Sequence, residues 1–250
     1  MRQQEIKIDL LIHDLKVPLA VIEAGITSLL KRPEKNGPLT DKQEEVLTRV
    51  LRNTKMTQNI VNDALELGRS GKGIVNLTNF RLSTLVEQAL VEIFDLENCS
   101  TSKIIRRCND LTRLREALGK EGLMLSVDES LWCREVCLDK AKVKQILRNL
   151  LNNALKYRKN LIALEIQEED SFIVFSLEDD GEGIPSHYHA QIFEQYFQLD
   201  VSDSYTVRGH GLGLAGVMLL VEDMGGKLLL ESDTGKGARF LVKVPLNRNK

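Results

Sequence analysis

Between residues 3 and 31, Ile8, Ile12, Leu15, Leu19, Ile22, Ile26 and Leu30 recur every three or four positions. That spacing puts the side chains on one face of a helix. A second stretch, 40–69, carries Leu47, Leu51, Val61 and Leu65 in a similar rhythm, with Thr40 and Asp41 as its start signal. Residues 32–39, with Pro33, Gly37 and Pro38, read as the loop between two long helices. At ~1.5 Å per residue the second helix spans about 45 Å. A hairpin of that length cannot cover its own apolar face. Dimerisation into a four-helix bundle would cover it, and packing against the rest of the chain is the alternative. Pro18 should bend the first helix, because it removes a hydrogen bond and crowds the preceding turn.

Gly68, Gly71 and Gly73 break the helical pattern and mark a flexible joint, dividing 1–70 from 71–250. Beyond it, strand-like runs near 74–82, 123–127, 161–167, 172–178, 227–232 and 239–244 mix with helical runs near 84–96, 103–118, 139–157 and 214–224. The last two strands flank a hairpin turn over 233–237. Strands and helices that do not strictly alternate predict an α+β fold, one mixed sheet covered by helices.

Composition narrows the classes. A net charge of −2 gives no electrostatic basis for wrapping nucleic acid. Cys99, Cys108, Cys133 and Cys137 are too few and too irregular for a disulfide framework, and no second pair completes a zinc site with Cys133 and Cys137. Reduced, structural thiols are expected. No apolar stretch approaches the ~20 residues of a membrane span, and Asp9, His13 and Asp14 stand where a signal peptide would be apolar. The expectation is a cytoplasmic protein, or the cytoplasmic part of a longer receptor.

The chemistry concentrates late in the chain. On the 139–157 helix, Asn149, Asn153 and Lys156 project together, away from Val143, Ile146, Leu147, Leu150, Ala154 and Leu155. Two glycine-bearing loops follow, one with Asp179, Asp180, Gly181 and Gly183, the other with Gly209, Gly211 and Gly213. A fixed row of amide oxygens and one ammonium beside such loops suits a magnesium–triphosphate. Gly211 to Gly216 also fits the dinucleotide fingerprint, but a polar stretch precedes it where a strand should. The Asp179–Gly183 loop lacks the alternating ligands and distal glutamate of a calcium loop, and no Gly-x-x-x-x-Gly-Lys-Ser/Thr loop exists, so a P-loop ATPase is excluded. A phosphate recipient is available at His13, which points roughly 140° from the centre of the apolar stripe at 3.6 residues per turn. An imidazole with an ordinary pKa near ~6.5 is largely neutral at physiological pH and nucleophilic, and Asp14 beside it could orient the ring and take its proton.

Six segments, in order, resemble the motifs of one family. His13 to Leu19 resembles a phosphoacceptor box, Asn149 to Tyr157 an asparagine box, and Asp179 to Gly183 a first glycine motif. Ile192 to Phe197 resembles a phenylalanine box, and Gly209 to Gly213 and Gly235 to Gly237 resemble the remaining glycine motifs. Residues 1–250 are similar to the transmitter core of a sensor histidine kinase. The resemblance implies a helical hairpin dimerising into a four-helix bundle, then an α/β-sandwich ATP-binding domain of the type shared with gyrase, heat-shock chaperones and mismatch-repair proteins. It implies that His13 and Asp14 are catalytic. Asn153 would hold magnesium with help from Asn149, Lys156 would neutralise phosphate, Tyr157 would lie against the base and Asp179 would accept the adenine amine. Gly181, Gly183, Gly209, Gly211 and Gly213 would let backbone approach the nucleotide, with the helix start near Leu214 offering free amides. Residues 194–208 read as a lid tethered by Phe193 and Phe197, both equally readable as core aromatics. The implied cofactors are ATP and Mg2+. The implied partners are a second copy of the chain, a response-regulator receiver domain, and a sensory input from an N-terminal region or a separate protein.

Three departures stand out. Val17, four residues after the histidine, replaces the Thr or Asn that positions water for dephosphorylating the regulator; valine has no such donor or acceptor. Asn149 stands where ATP-hydrolysing members of the superfamily carry a glutamate, so futile hydrolysis should be slow. About twenty residues near 95–115 are extra. They are expected to lengthen the first helix of the second domain, with Ser100, Thr101 or Ser102 as a cap and a partner-docking surface as the alternative.

Overall fold

A computed structural model describes the backbone of residues 2–69, 74–108, 110–194, 197 and 211–246. It describes their side chains except at 2–13, 59, 63–69, 96, 97 and 99. The chain forms two compact units, Met1–Arg69 and Ser70–Lys250. Among the described residues no helix is long and apolar enough to cross a membrane.

In the first unit α1 (Arg2–Lys31) and α3 (Asp41–Arg69) pack side by side, joined through the single turn of α2 (Pro33–Asn36). α1 runs on through Pro18. Thr40 and Gln43 make a reciprocal capping box: the Gln43 side chain accepts the Thr40 N–H at 2.9 Å, and the Thr40 hydroxyl accepts the Gln43 N–H at 3.3 Å. Between the helices Leu19 packs on Val61, Ile26 is buried, and the Gln58 amide donates to Glu23 at 3.0 Å. Among the described side chains of these helices, Leu15, Val17, Val21, Ile22, Val46 and Val50 are exposed.

In the second unit, β1 (Thr78–Arg81), α4 (Leu82–Glu97), α5 (Cys99–Ile105), α6 (Leu111–Gly119), β2 (Leu123–Val127), α7 (Glu129–Trp132) and β3 (Glu135–Leu138) lead into α8 (Lys140–Tyr157). Then come β4 (Ile162–Glu169), β5 (Phe172–Asp179), two short 3-10 turns, α9 (Gly213–Asp223), β6 (Lys227–Ser232) and β7 (Ala238–Pro245). The main sheet has the order β2-β4-β5-β7-β6, with β2 parallel to β4 and the other pairs antiparallel. It is the expected mixed sheet. Leu123, Leu125 and Val127 turn to its buried face, joined by Ile162, Leu164 and Ile166 of β4 and by Phe240, Val242 and Val244 of β7. α4, α8 and α9 supply Leu85, Leu90, Phe94, Ile146, Leu150, Val217 and Leu220 to the same core.

Several expectations needed correction. The 74–82 strand is only Thr78–Arg81, because Leu82 already starts α4. Its partner β3 forms with it a separate two-stranded ribbon that the sequence reading missed. The helix expected over 103–118 is two helices, and the segment does not lengthen α4. At Asn98 the backbone turns extended, with φ −147° and ψ 93°, and its side chain accepts the Ser100 N–H, so Asn98 is the cap. Thr101 and Ser102 are buried instead, and the Thr101 hydroxyl donates to Glu121 at 2.5 Å.

Candidate functional site

α8 carries the first cluster. Asp139 caps its start, accepting the Lys142 N–H at 3.1 Å. One apolar face, from Val143 to Ala154, is buried against the sheet. Asn149 is the polar residue buried within the helix, and its amide donates at 3.2 Å to the Gly213 carbonyl at the head of α9. This bond orients the side chain by turning its nitrogen toward α9. In its first turn, α8 is pinned to the other end of α9 by the Lys142–Asp223 ion pair at 2.6 Å, with side chains only 12% and 5% exposed. Asn153 is half-buried. At the helix end Lys156 and Tyr157 are exposed, and the ammonium sits 3.0 Å from the Tyr157 hydroxyl and 4.7 Å from its ring centroid.

The first glycine loop packs against that helix end. A Cβ on Gly181 would overlap the Tyr157 carbonyl oxygen and lie 3.1 Å from its carbon. Asp180 holds the segment that leaves α8, its carboxylate accepting the Lys159 N–H at 2.8 Å and the Asn160 N–H at 3.0 Å. These bonds, Asn160 first, hold its carboxyl below the usual carboxylate range. Asp179 closes β5 and is buried, with one oxygen accepting the Gly181 N–H at 2.9 Å. Burial pushes its carboxyl up, while the N–H groups of Gly181 and Ala238 pull it back down. It is a desolvated acceptor held in place by backbone, as recognition of a donor group on a planar ligand requires.

The glycine turn between β6 and β7 locks onto this loop. Gly183 has φ +71°, and a Cβ there would overlap the Asp233 carbonyl oxygen. Gly237 has φ +77°, and its Cβ would overlap the Asp179 carbonyl oxygen. Gly235 donates its N–H to the Glu182 carbonyl at 2.6 Å. The Ser232 hydroxyl bridges both loops, accepting the Ile184 N–H at 2.8 Å and donating to the Gly237 carbonyl at 2.6 Å. The close approaches that Gly181 and Gly183 allow in this structure are therefore to the protein's own backbone.

The second unit thus brings together Asn149 with Gly213, Tyr157 with Gly181, and Asp179 with Gly181 and Gly237. Gly211 has φ +66° and leads into α9, which starts at Gly213. The first N–H groups of a helix have no partner within it. Phe193 is half-buried against the core, as is Phe197, whose ring lies 5.7 Å from that of Tyr188. Gly209 lies outside the described residues, as do 195–196 and 198–208 of the expected lid. His13 sits on α1 in the first unit with its side chain outside the described set, and Asp14 next to it is exposed. Sequence reading missed Ser232, Asp180 as a loop tie, and Arg158, whose guanidinium donates to the Glu121 carbonyl at 2.6 Å. No local pattern announces these ties: Asp180 reaches Lys159 and Asn160, Ser232 reaches Ile184, and Arg158 reaches Glu121, all remote in sequence.

Residues 138–248 match the family described as histidine kinase-, DNA gyrase B- and HSP90-like ATPase, and residues 10–73 match the His kinase A phosphoacceptor domain. The chain belongs to the sensor histidine kinases, as their transmitter core. It is 32% identical over 237 residues to the circadian input-output histidine kinase CikA of Synechococcus elongatus, covering 93% of this chain and 29% of that protein. It is 31% identical to the autoinducer 2 sensor kinase/phosphatase LuxQ of Vibrio cholerae, over 94% of this chain and 25% of that one. The sensor protein SrrB of Staphylococcus aureus is 25% identical, with 93% and 36% covered. The chain therefore spans about a quarter to a third of the length of these curated relatives. Among solved structures, full-length ShkA in complex with AMPPNP superposes with a TM-score of 0.66 at 24% identity, covering 97% of this chain and 46% of that one. The Acinetobacter baumannii histidine kinase AdeS gives 0.54 at 16% identity, covering 94% and 98%. Both bear on the fold alone.

Proposed function

We propose that this chain is an ATP-dependent protein-histidine kinase that phosphorylates itself on His13 and passes the phosphoryl group to an aspartate of a response-regulator receiver domain. The observation that carries the reading is the pairing, in one chain, of a phosphoacceptor match over 10–73 that contains His13 with an ATPase-type match over 138–248. Residues 1–70 are then the dimerisation and phosphoacceptor domain, and 71–250 the catalytic ATP-binding domain. The exposed Leu15, Val17, Val21, Ile22, Val46 and Val50 support a homodimer, since a second copy would remove them from water.

The donor set of the second unit fits a magnesium nucleotide. Asn153 offers an amide oxygen to Mg2+, and Asn149, fixed by its bond to Gly213, assists at the phosphates. Lys156 supplies positive charge, and Gly209, Gly211 and Gly213 with the start of α9 offer backbone N–H groups. Tyr157 would lie against the base. The buried Asp179 carboxylate would accept the 6-amino group that adenine carries where guanine has a carbonyl, and Gly181 and Gly183 hold Asp179 in its loop. When bound, the metal neutralises charge on the phosphates. The His13 lone pair forms the N–P bond as the bond from the γ-phosphorus to ADP breaks, and Asp14 takes the ring proton. Positioning and charge neutralisation dominate such transfers. Val17 leaves no side-chain donor for water beside His13, so phosphatase activity should be weak.

The input would come from a region N-terminal to these residues or from another protein. The test is incubation with γ-labelled ATP and Mg2+. The wild type should gain an acid-labile, alkali-stable label that it transfers to a receiver domain, and His13→Gln should gain none. Equal labelling of both would refute the assignment.

A further inference from the structure

Asp139 makes more contacts than a helix cap requires. Ser or Thr would cap α8 as well as Asp does, yet this carboxylate is only 3% exposed and both oxygens are occupied. One accepts the Lys142 N–H inside the first turn of α8. The other accepts the Asn76 N–H at 2.8 Å. Asn76 lies seven residues beyond Arg69, where the first unit ends. The same stretch is fastened again immediately afterwards: Thr78 of β1 pairs with Leu138 of β3, the residue before Asp139, and the pairing continues through Arg81 and Glu135. Lys140, the first residue of α8, holds its ammonium 5.8 Å from the Phe80 ring. The chain arriving from the first unit is thus tied to the head of one particular helix, the one that bears Asn149, Asn153, Lys156 and Tyr157.

We propose that Asp139 is a positioning residue that couples residues 74–77 to α8, so that the state of this connecting chain sets the placement of the nucleotide-binding side chains. By reciprocity, nucleotide binding sets the state of the connecting chain. The proposal rests on the kinase reading above for its functional output. The leverage is geometric: Asn153 is fourteen residues from Asp139, roughly 21 Å along a helix. A tilt of about 3° at the capped end moves Asn153 by about 1 Å, and a misplacement of that size can cost on the order of a hundredfold in rate.

Two variants of the full chain separate coupling from capping. Asp139→Ser keeps an acceptor for the Lys142 N–H but is too short to reach Asn76 as well, and Asn76→Pro removes the donor while leaving Asp139 intact. Hydrogen exchange is followed with and without a non-hydrolysable ATP analogue and Mg2+. In the wild type the nucleotide should slow exchange over 74–78 about fivefold or more, the lower end of site-to-site coupling. In both variants that response should vanish while protection along α8 persists. At saturating ATP, labelling of His13 should fall by a similar factor in both. An undiminished response over 74–78 in the variants, no response in the wild type, or no nucleotide binding at all would overturn the coupling. Should nucleotide bind and His13 never be labelled, the kinase reading falls, and the exchange response still decides the role of Asp139.

Discussion

Alanine at Gly237 and at Gly235 should cost very different amounts, although the two residues share one turn and similar dihedral angles, φ +77° and +82°. Both substitutions force an L-residue into left-handed space, a strain of roughly 1–2 kcal/mol. Nothing lies within 4 Å of a Cβ on Gly235, so strain is its whole cost. A Cβ on Gly237 would overlap the Asp179 carbonyl oxygen and stand 2.9 Å from its carbon and 3.2 Å from the Asp180 Cα. Ordinary carbon contacts are ~3.5–4.0 Å, so the end of β5 must retreat. Asp179 pairs with Ala238 in the β5–β7 ladder, and leaving such a buried backbone group unpaired costs about 1–3 kcal/mol. Gly237→Ala should therefore lose about 2–5 kcal/mol against about 1–2 for Gly235→Ala. Trp132 is the chain's one tryptophan and is buried in the second unit, so its fluorescence in a urea titration reports that unit alone. Nucleotide affinity should follow, falling about tenfold or more in Gly237→Ala, for which ~1.4 kcal/mol suffices, and little in Gly235→Ala. Equal shifts of the urea midpoint in the two variants would refute the backbone-approach argument.

The Lys142–Asp223 pair supports a second comparison. Lys142→Ala should cost on the order of 2–4 kcal/mol in the same titration, somewhat below a fully buried pair. Lys142→Met with Asp223→Leu should recover most of it, and a double variant as weak as the single would contradict this. Because burial raises the Asp179 carboxyl, the native state holds its proton more readily than the unfolded chain. Its contribution to stability therefore falls as pH rises from 3.8 through the higher folded pKa. Asp179→Asn should flatten that decline and abolish ATP binding. Asp180 is lowered, so its contribution is present above 3.8 and lost as pH falls through its folded pKa. Asp180→Asn should remove that acid-side loss, and a pH–stability profile identical to wild type in either variant would count against the corresponding assignment. Val17→Thr should introduce stimulated dephosphorylation of a phosphorylated receiver domain; such activity already present in the wild type would refute the role given to valine.

The long elements were legible because their patterns are local. The three- and four-residue apolar spacing of α1 and α8 and the alternation of β2 and β7 each follow from burying one face, and the mixed sheet follows from their order. What escaped is held by partners remote in sequence. β3 is four residues long and has no pattern of its own; it exists because β1 lies beside it, some sixty positions earlier. The 99–119 segment parts from α4 where Asn98 turns extended and caps α5, and it divides again before Leu111, where Asp110 caps α6. Neither Thr101 nor Ser102 caps it: both are buried, and Thr101 is bonded to Glu121.

The glycine motifs make the same point for the site. Their spacing suggested flexible loops that let backbone close on a ligand, but three of the glycines are required before any ligand arrives. Gly181 clears the end of α8, Gly183 clears Asp233, and Gly237 clears the carbonyl of Asp179. With Ser232 bonded to both loops and Asn149 bonded to the head of α9, the helix, the two loops and α9 constrain one another. Preorganisation of this kind is what phosphoryl transfer needs from a protein whose part is to position groups. Each of these three glycines leaves room for a neighbouring segment's backbone, so altering one displaces the acceptor or amide that another holds.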